Sequence, residues 1–197
     1  MYSILLAFLK TLFAVVFRWE VKGIENIPSH GGVIIASNHI SLWDPPVLGS
    51  ATPRPVHFMA KEELFTIPVF SWIIRKLHSF PVRRGSADRT AIRTMINLLE
   101  CGEIVGIFPE GTRSKTGQLG QPELGVAMVA LKTGMTIVPA AIIGTNKIWG
   151  SDTWFPRIKV MFGKPILVKQ GKTDKDAIES LSRTIMNEIA DLLSKGK

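Results

Sequence analysis

The stretch Val33-Ile34-Ile35-Ala36-Ser37-Asn38-His39-Ile40-Ser41-Leu42-Trp43-Asp44-Pro45-Pro46 decides how the chain is read. Val33 to Ser37 is a short apolar run with β-branched residues, the pattern of a buried strand. Two prolines close the segment, and Pro45 can occupy the first turn of a helix with Asp44 as its N-cap. A histidine and a carboxylate are therefore expected on the loop between a strand and a helix. On one continuous helix, residues five apart point about 140° away from each other. A turn can bring them together, and Pro45 disfavours helical backbone at the residue before it. Asp44 can then accept a hydrogen bond from one imidazole nitrogen and leave the other as a base. The competing reading is a histidine satisfied by backbone and an aspartate that only caps the helix.

The flanking pattern alternates between helix and strand. Trp19 to Gly23, Val56 to Ala60, Ser79 to Val82, Ile104 to Phe108, Thr136 to Ile143, Ile158 to Phe162 and Ile166 to Lys169 read as strands. Helices are expected from Pro45 to about Gly49, over Glu62 to Leu77 with a break at Pro68, over Ala87 to Leu99, through Val126 to Leu131, and from Thr173 onward with Asp176 in a capping box. The class is α/β: a single domain whose mixed, mainly parallel sheet is flanked by helices. Over 62–77 the apolar positions exceed what one narrow face needs. They suit a lipid-facing surface, an acyl groove or a helix buried in the core.

Met1 to Phe17 is almost wholly apolar, interrupted mainly by Lys10. As a helix it would measure about 26 Å at ~1.5 Å per residue, less than the ~30 Å hydrocarbon core of a bilayer. It has neither a basic leader nor an obvious small-residue cleavage site, so a cleaved signal peptide is not expected. It can lie in the membrane interface, span marginally, or pack on the core; the expectation is an interfacial, membrane-associating helix over 1–18, followed by the main domain over 19–197.

The 197 residues carry a formal charge of +8, and 46% are hydrophobic. This balance favours an anionic partner such as a phosphorylated metabolite, an acidic lipid surface or nucleic acid. The basic residues are dispersed and no base-stacking motif accompanies them, so nucleic acid is not expected as a partner. Cys101 is the single cysteine, which excludes an internal disulfide. No metal-ligand spacing links His30, His57 and His78, and no metal or cofactor is expected.

No Gly-x-Ser-x-Gly elbow is present to supply a nucleophile for His39. A base without a protein nucleophile suits a substrate that brings its own hydroxyl, the logic of the serine triad with the substrate oxygen in the place of serine. Arg84 and Arg113 each follow an apolar strand-like run and stand near glycines. Such arginines can bind phosphate through two parallel hydrogen bonds, or they can be ordinary surface cations. Gly106-x4-Gly111 is similar to a phosphate loop, but Thr112-Arg113 replaces the Lys-Ser/Thr that a nucleotide site needs.

Four ordered blocks resemble the glycerolipid acyltransferase family: Asn38-His39-x4-Asp44, Phe80-Pro81-Val82-Arg83-Arg84-Gly85, Phe108-Pro109-Glu110-Gly111-Thr112-Arg113-Ser114, and Val138-Pro139-Ala140. Two positions depart from the family's common form, His78 for a frequent glycine and Arg83 for a frequent aspartate. The resemblance implies an α/β domain on the cytoplasmic face of the cell membrane. The implied reaction moves a fatty acyl group from acyl-CoA or acyl carrier protein to the sn-2 hydroxyl of lysophosphatidic acid (1-acylglycerol 3-phosphate), giving phosphatidic acid. His39 would be the base and Asp44 its orienter. Arg84 and Arg113 would hold the acceptor phosphate on a loop shaped by Glu110, Gly111 and Thr112. The expected partners are that lipid, the thioester donor and an anionic membrane surface. Transfer to another lysophospholipid or to glycerol 3-phosphate is the alternative within the class, and a lipid-binding protein without catalysis is the alternative outside it.

Overall fold

The computed structural model describes residues 2–83, 88–148 and 155–196. Its elements in chain order are α1 (Tyr2–Val16), β1 (Glu20–Lys22), β2 (Val33–Ser37), α2 (Asp44–Ala51), β3 (Val56–Lys61), α3 (Pro68–Lys76), β4 (Ser79–Val82), α4 (Arg89–Glu100), β5 (Ile104–Ile107), α5 (Gly125–Thr133), β6 (Thr136–Ile143), β7 (Lys159–Phe162) and α6 (Lys175–Gly196). The strands form one sheet in the order β1-β7-β6-β2-β5-β3-β4. Every pairing is parallel except β6 with β7. The mixed, mainly parallel sheet expected from the alternating pattern is what forms.

All five residues of β2 are buried. Val33 and Ile35 face the layer that holds α1 and α2, with Phe13, Val47 and Leu48. Ile34 and Ala36 face the opposite layer, with Leu99, Val126 and Ile189. A strand covered on both faces reads as a continuous apolar run, which is why no alternation marks it in the sequence. On β5, Gly106 lies beside Phe58 of β3 in register. A Cβ there would stand 2.3 Å from the Phe58 ring, so the ring occupies the space that a side chain would need.

The apolar N-terminal helix has two different faces. Leu9 and Phe13, with Phe17 just beyond the helix, are buried in the core. Phe13 stacks on Trp19 at 5.7 Å between centroids and meets Trp43 edge-on at 6.3 Å. Ile4, Phe8 and Val15 are exposed on the other side, at 73%, 62% and 75%. Among the described residues no helix is long and apolar enough to cross a membrane.

Three local expectations need correction. Trp43, not Asp44, precedes α2; Asp44 is its first residue and its side chain makes no cap there. Its carboxylate turns back to the loop, where it accepts from the Ile40 and Ser41 amides. Ile166 to Lys169 is not a strand. Ile166 exchanges a pair of backbone hydrogen bonds with Ile137 at 3.0 and 2.7 Å and pairs no further. Antiparallel to β6 from that bridge, residues 167–169 would lie beside Thr136, where β6 begins, and the turn before it. The cap of α6 is Asp174, whose Oδ1 accepts from the Ala177 amide at 2.9 Å, and not Thr173 with Asp176. Asp88 does the same for α4, accepting from Thr90 and Ala91 at 2.9 and 3.0 Å. His78, where the family resemblance places glycine, has φ of 59°, a left-handed conformation that glycine adopts without a Cβ penalty.

The packing at Gly106 gives a direct stability test. Gly106→Val should destabilise the fold by about 1–3 kcal/mol, because a side chain there would overlap the Phe58 ring and force it to move. Chemical denaturation would show the loss as a lower midpoint at unchanged slope.

Candidate active site

Strands β2, β5 and β6 are parallel neighbours, so their C-terminal ends share one edge of the sheet. In open α/β sheets this edge is where ligands bind. β2 delivers Asn38 and His39, β5 delivers Phe108 to Glu110, and β6 delivers Gly144 and Thr145. Asn38 extends the pairing of β2 with β6 beyond the strand end. Its side-chain amide donates to the Ile142 carbonyl at 2.9 Å, and its oxygen accepts from the Ile142 N–H at 2.8 Å.

The loop after Asn38 reverses direction and brings the pair together. His39 Nδ1 stands 2.7 Å from Asp44 Oδ2. The same oxygen accepts from the amides of Ile40 and Ser41 at 2.6 and 2.7 Å. Oδ1 accepts from the Thr145 hydroxyl at 2.5 Å. Asp44 is fully buried and His39 nearly so. A buried carboxylate is costly without partners, and these four donors supply them. Its contact with Nδ1 makes that nitrogen the protonated one and leaves Nε2 as the acceptor. The structure decides between the two alternatives from the sequence: Asp44 holds the histidine through Nδ1 and opens α2 without capping it.

The segment Phe108–Ser114 cradles His39. The Phe108 ring stacks on the imidazole at 4.1 Å between centroids and 17° between planes, and Phe58 stacks behind Phe108 at 6.1 Å. Glu110 was expected to shape the phosphate loop. Its buried carboxylate bridges two backbone amides, that of His39 at 2.8 Å and that of Gly120 at 2.8 Å. The Ser114 amide donates to the His39 carbonyl at 2.8 Å. Gly111 takes φ of 67°, and a Cβ there would meet the Glu123 side chain at 2.9 Å.

His39 lines a polar cavity of about 270 Å³ together with Gly111, Thr112, Glu123 and Arg83. A second cavity of about 450 Å³ is almost entirely apolar. Its walls come from Leu5 and Leu9 of α1, Trp43, Phe58, and Phe70 and Ile73 of α3. Met59 belongs to both walls, so the two spaces adjoin beside the histidine. Segment 62–77 presents apolar side chains on two sides. Its inward side chains line this cavity, while Ile67, Val69 and Trp72 remain exposed.

Of the expected phosphate residues, two reach the polar cavity. Thr112 and Gly111 lie on its wall. Arg113 is exposed and immediately precedes the Ser114 amide that binds His39. Arg84 lies outside the described residues. Arg83, which sequence reasoning left out of the site, also lines this cavity, and Lys61 ends β3; each is engaged by an acid. Arg83 is paired with Glu62 at 2.7 Å and Lys61 with Glu63 at 3.1 Å. The Glu62 hydrogen bond, then its charge, raises the Arg83 guanidinium above its ordinary value. Thr145 was also missed. It is remote in sequence, and no short motif announces a hydroxyl that meets a carboxylate 101 positions away.

A buried histidine held by a carboxylate, with no serine or cysteine hydrogen-bonded to its ring among the described residues, and an apolar cavity beside a polar one are features that suit a group-transfer site of acyltransferase type. The family model described as Acyltransferase matches residues 18–143, and the chain belongs to that family. It is 34% identical over 168 residues to the 1-acyl-sn-glycerol-3-phosphate acyltransferase of Bacillus subtilis, an alignment covering 84% of this chain and 82% of that one. It is 30% identical over 188 residues to the Streptococcus pneumoniae protein of the same name, covering 90% and 69%. The crystal structure of the 1-acyl-sn-glycerophosphate (LPA) acyltransferase PlsC from Thermotoga maritima superposes with a TM-score of 0.72 at 28% identity, covering 97% of this chain and 80% of that one.

The Glu110 bridge has a measurable consequence. Glu110→Ala leaves the buried His39 amide and the Gly120 amide without their acceptor and should lower stability by about 1–3 kcal/mol. Glu110→Gln keeps one acceptor oxygen and should recover some of the loss. Thermal unfolding of the two variants side by side would check the order.

Proposed function

We propose that this chain transfers a fatty acyl group from a thioester donor to the sn-2 hydroxyl of 1-acylglycerol 3-phosphate, producing phosphatidic acid for phospholipid synthesis. The observation that carries this reading is the His39–Asp44 pair at the junction of the polar and apolar cavities. The names of the full-length bacterial relatives support the choice of acceptor.

In the proposed reaction the acceptor hydroxyl lies against His39 Nε2. As its oxygen attacks the thioester carbonyl, Nε2 takes the proton, and Asp44 stabilises the resulting imidazolium through Nδ1. Collapse of the tetrahedral intermediate breaks the carbon–sulfur bond. The imidazolium returns the proton to the departing thiolate, leaving an ester, a free thiol and neutral His39. The stacked Phe108 face favours the transient positive charge. Proton transfer of this kind is worth roughly 10²–10⁴-fold in rate.

The acyl chain would lie in the apolar cavity and the acceptor phosphate near Gly111, Thr112 and Arg113, with Arg84 contributing as the resemblance implies. Arg113 favours a phosphorylated acceptor because its planar fork matches phosphate oxygens. The exposed apolar residues of α1 would rest in the interface of an anionic, cytoplasmic membrane face, with Ile67, Val69 and Trp72 nearby on α3's side of the cavity.

Incubating the purified protein with several lyso-lipids and with both acyl-CoA and acyl carrier protein thioesters, then identifying products by mass, tests the reaction and selects the donor. Phosphatidic acid should be the main product, and its absence with every donor would overturn the reading. His39→Ala should reduce turnover by roughly 10²-fold or more without changing the fold. Near-normal turnover would remove the base assignment. Arg113→Ala should raise KM for the phosphorylated acceptor more than for a neutral lyso-lipid. An equal effect on both would argue against phosphate binding.

Membrane attachment needs substitutions on the outer face of α1. Deleting the helix would also remove Phe13 from the core. Ile4→Glu with Phe8→Glu should reduce co-sedimentation with anionic vesicles while leaving thermal stability within about 0.5 kcal/mol. Unchanged sedimentation would exclude this face as the attachment surface.

A further inference from the structure

Thr145 occupies a position that local structure does not explain. It follows Gly144 at the end of β6 and opens a short 3-10 turn over Thr145–Lys147. Threonine in such a place commonly caps the turn by accepting a nearby amide. Here the turn has no side-chain cap. The hydroxyl instead points across the loop interface and donates to Asp44 Oδ1 at 2.5 Å. Both residues are fully buried.

The division of donors over the carboxylate is uneven. Oδ2 takes His39 Nδ1, the Ile40 amide and the Ser41 amide. Among the described residues Oδ1 takes only Thr145. Three donors on one oxygen fix its position and leave the carboxylate free to tilt about that point. A fourth donor on the other oxygen fixes the plane. That plane sets the direction from which His39 Nδ1 is held, and so the direction in which Nε2 points. The backbone enforces the placement. Gly144 has φ of 90°, and a Cβ on it would stand 2.3 Å from the Arg157 carbonyl oxygen, so the turn that presents Thr145 has one geometry.

We propose that Thr145 is a positioning residue for acyl transfer, acting through Asp44 to hold His39 in its productive orientation. This rests on the base role given to His39 above. The hydroxyl touches no space that substrate would fill. Its removal should therefore slow the chemical step and leave substrate binding intact.

The test compares Thr145→Ser, Thr145→Val and Thr145→Ala with the parent enzyme, alone and combined with Asp44→Asn. Thiol release from the donor that the product assay selects gives kcat and KM, and thermal unfolding checks the fold. Thr145→Ser should keep kcat within about threefold, whereas Thr145→Val and Thr145→Ala should lower it roughly tenfold or more, the loss expected for a hydrogen bond to a charged group. KM for both substrates should stay within about twofold if the lost interaction serves the transition state alone. In the Asp44→Asn background Thr145→Val should cost less than about twofold further, because residues acting as a unit are not additive. The serine and alanine variants decide the matter if valine fails to fold.

Parental kcat in Thr145→Ala would overturn the proposal. So would equal losses in the serine and alanine variants, an effect confined to KM, or a full second loss on top of Asp44→Asn. His39→Ala separates the two levels. If His39→Ala is active, the catalytic reading itself fails. If it is inactive while the Thr145 variants are normal, only the role of Thr145 fails.

Discussion

The structure depends on a carboxylate that has no contact with water. Asp44 is fully buried at the start of α2 and accepts from a ring nitrogen, two loop amides and a hydroxyl. Desolvating a charge without such partners would cost far more than a domain's net stability margin. The loop 40–43 closes around Asp44 because its amides need an acceptor as much as the carboxylate needs donors. The turn, the orientation of the histidine and the start of the helix are thus one electrostatic solution.

Glu110 has a comparable role in the neighbouring loop. It ties the His39 amide to the Gly120 amide, across the loop that carries Thr112 and Arg113. Two buried carboxylates therefore anchor the two loops that meet at the cavity edge, and neither is used on an external anion. This separates framework from recognition. The acids fix the backbone, while Thr112 and Arg113 stay exposed on the same loop.

Much of this was legible because the informative signals are local. The β-branched run of β2, the proline pair and the interrupted helix at Pro68 all act through neighbouring residues. The parallel sheet followed from their alternation. The errors fall where long-range competition decides. Ile166 to Lys169 has strand composition, yet its antiparallel bridge to Ile137 leaves residues 167–169 beside the beginning of β6 at Thr136, where little strand remains to pair with. Asp44 looks like a helix cap because Pro45 follows, but the amides of Ile40 and Ser41 claim its side chain. Asp174 caps α6 in preference to the more motif-like Thr173 and Asp176. The histidine and aspartate could be named from their spacing. Thr145 could not, since only the tertiary pairing of β2 with β6 brings it there. The two faces of α1 were also hidden, because an almost uniformly apolar helix carries no stripe to separate the side that packs on the core from the side that stays exposed.

The single antiparallel junction in the sheet, between β6 and β7, governs more than strand pairing. β1 runs parallel to β7 and so opposite in direction to β2. The beginning of β1 therefore lies at the same edge as the end of β2, and α1 leads directly into it. Phe13 meets Trp43 beside the histidine loop for this reason. Had β7 run with the other strands, the same connections would have carried the end of the apolar helix to the far edge of the sheet. The polarity of one outer strand thus determines that the greasiest segment of the chain and its most polar buried cluster are neighbours.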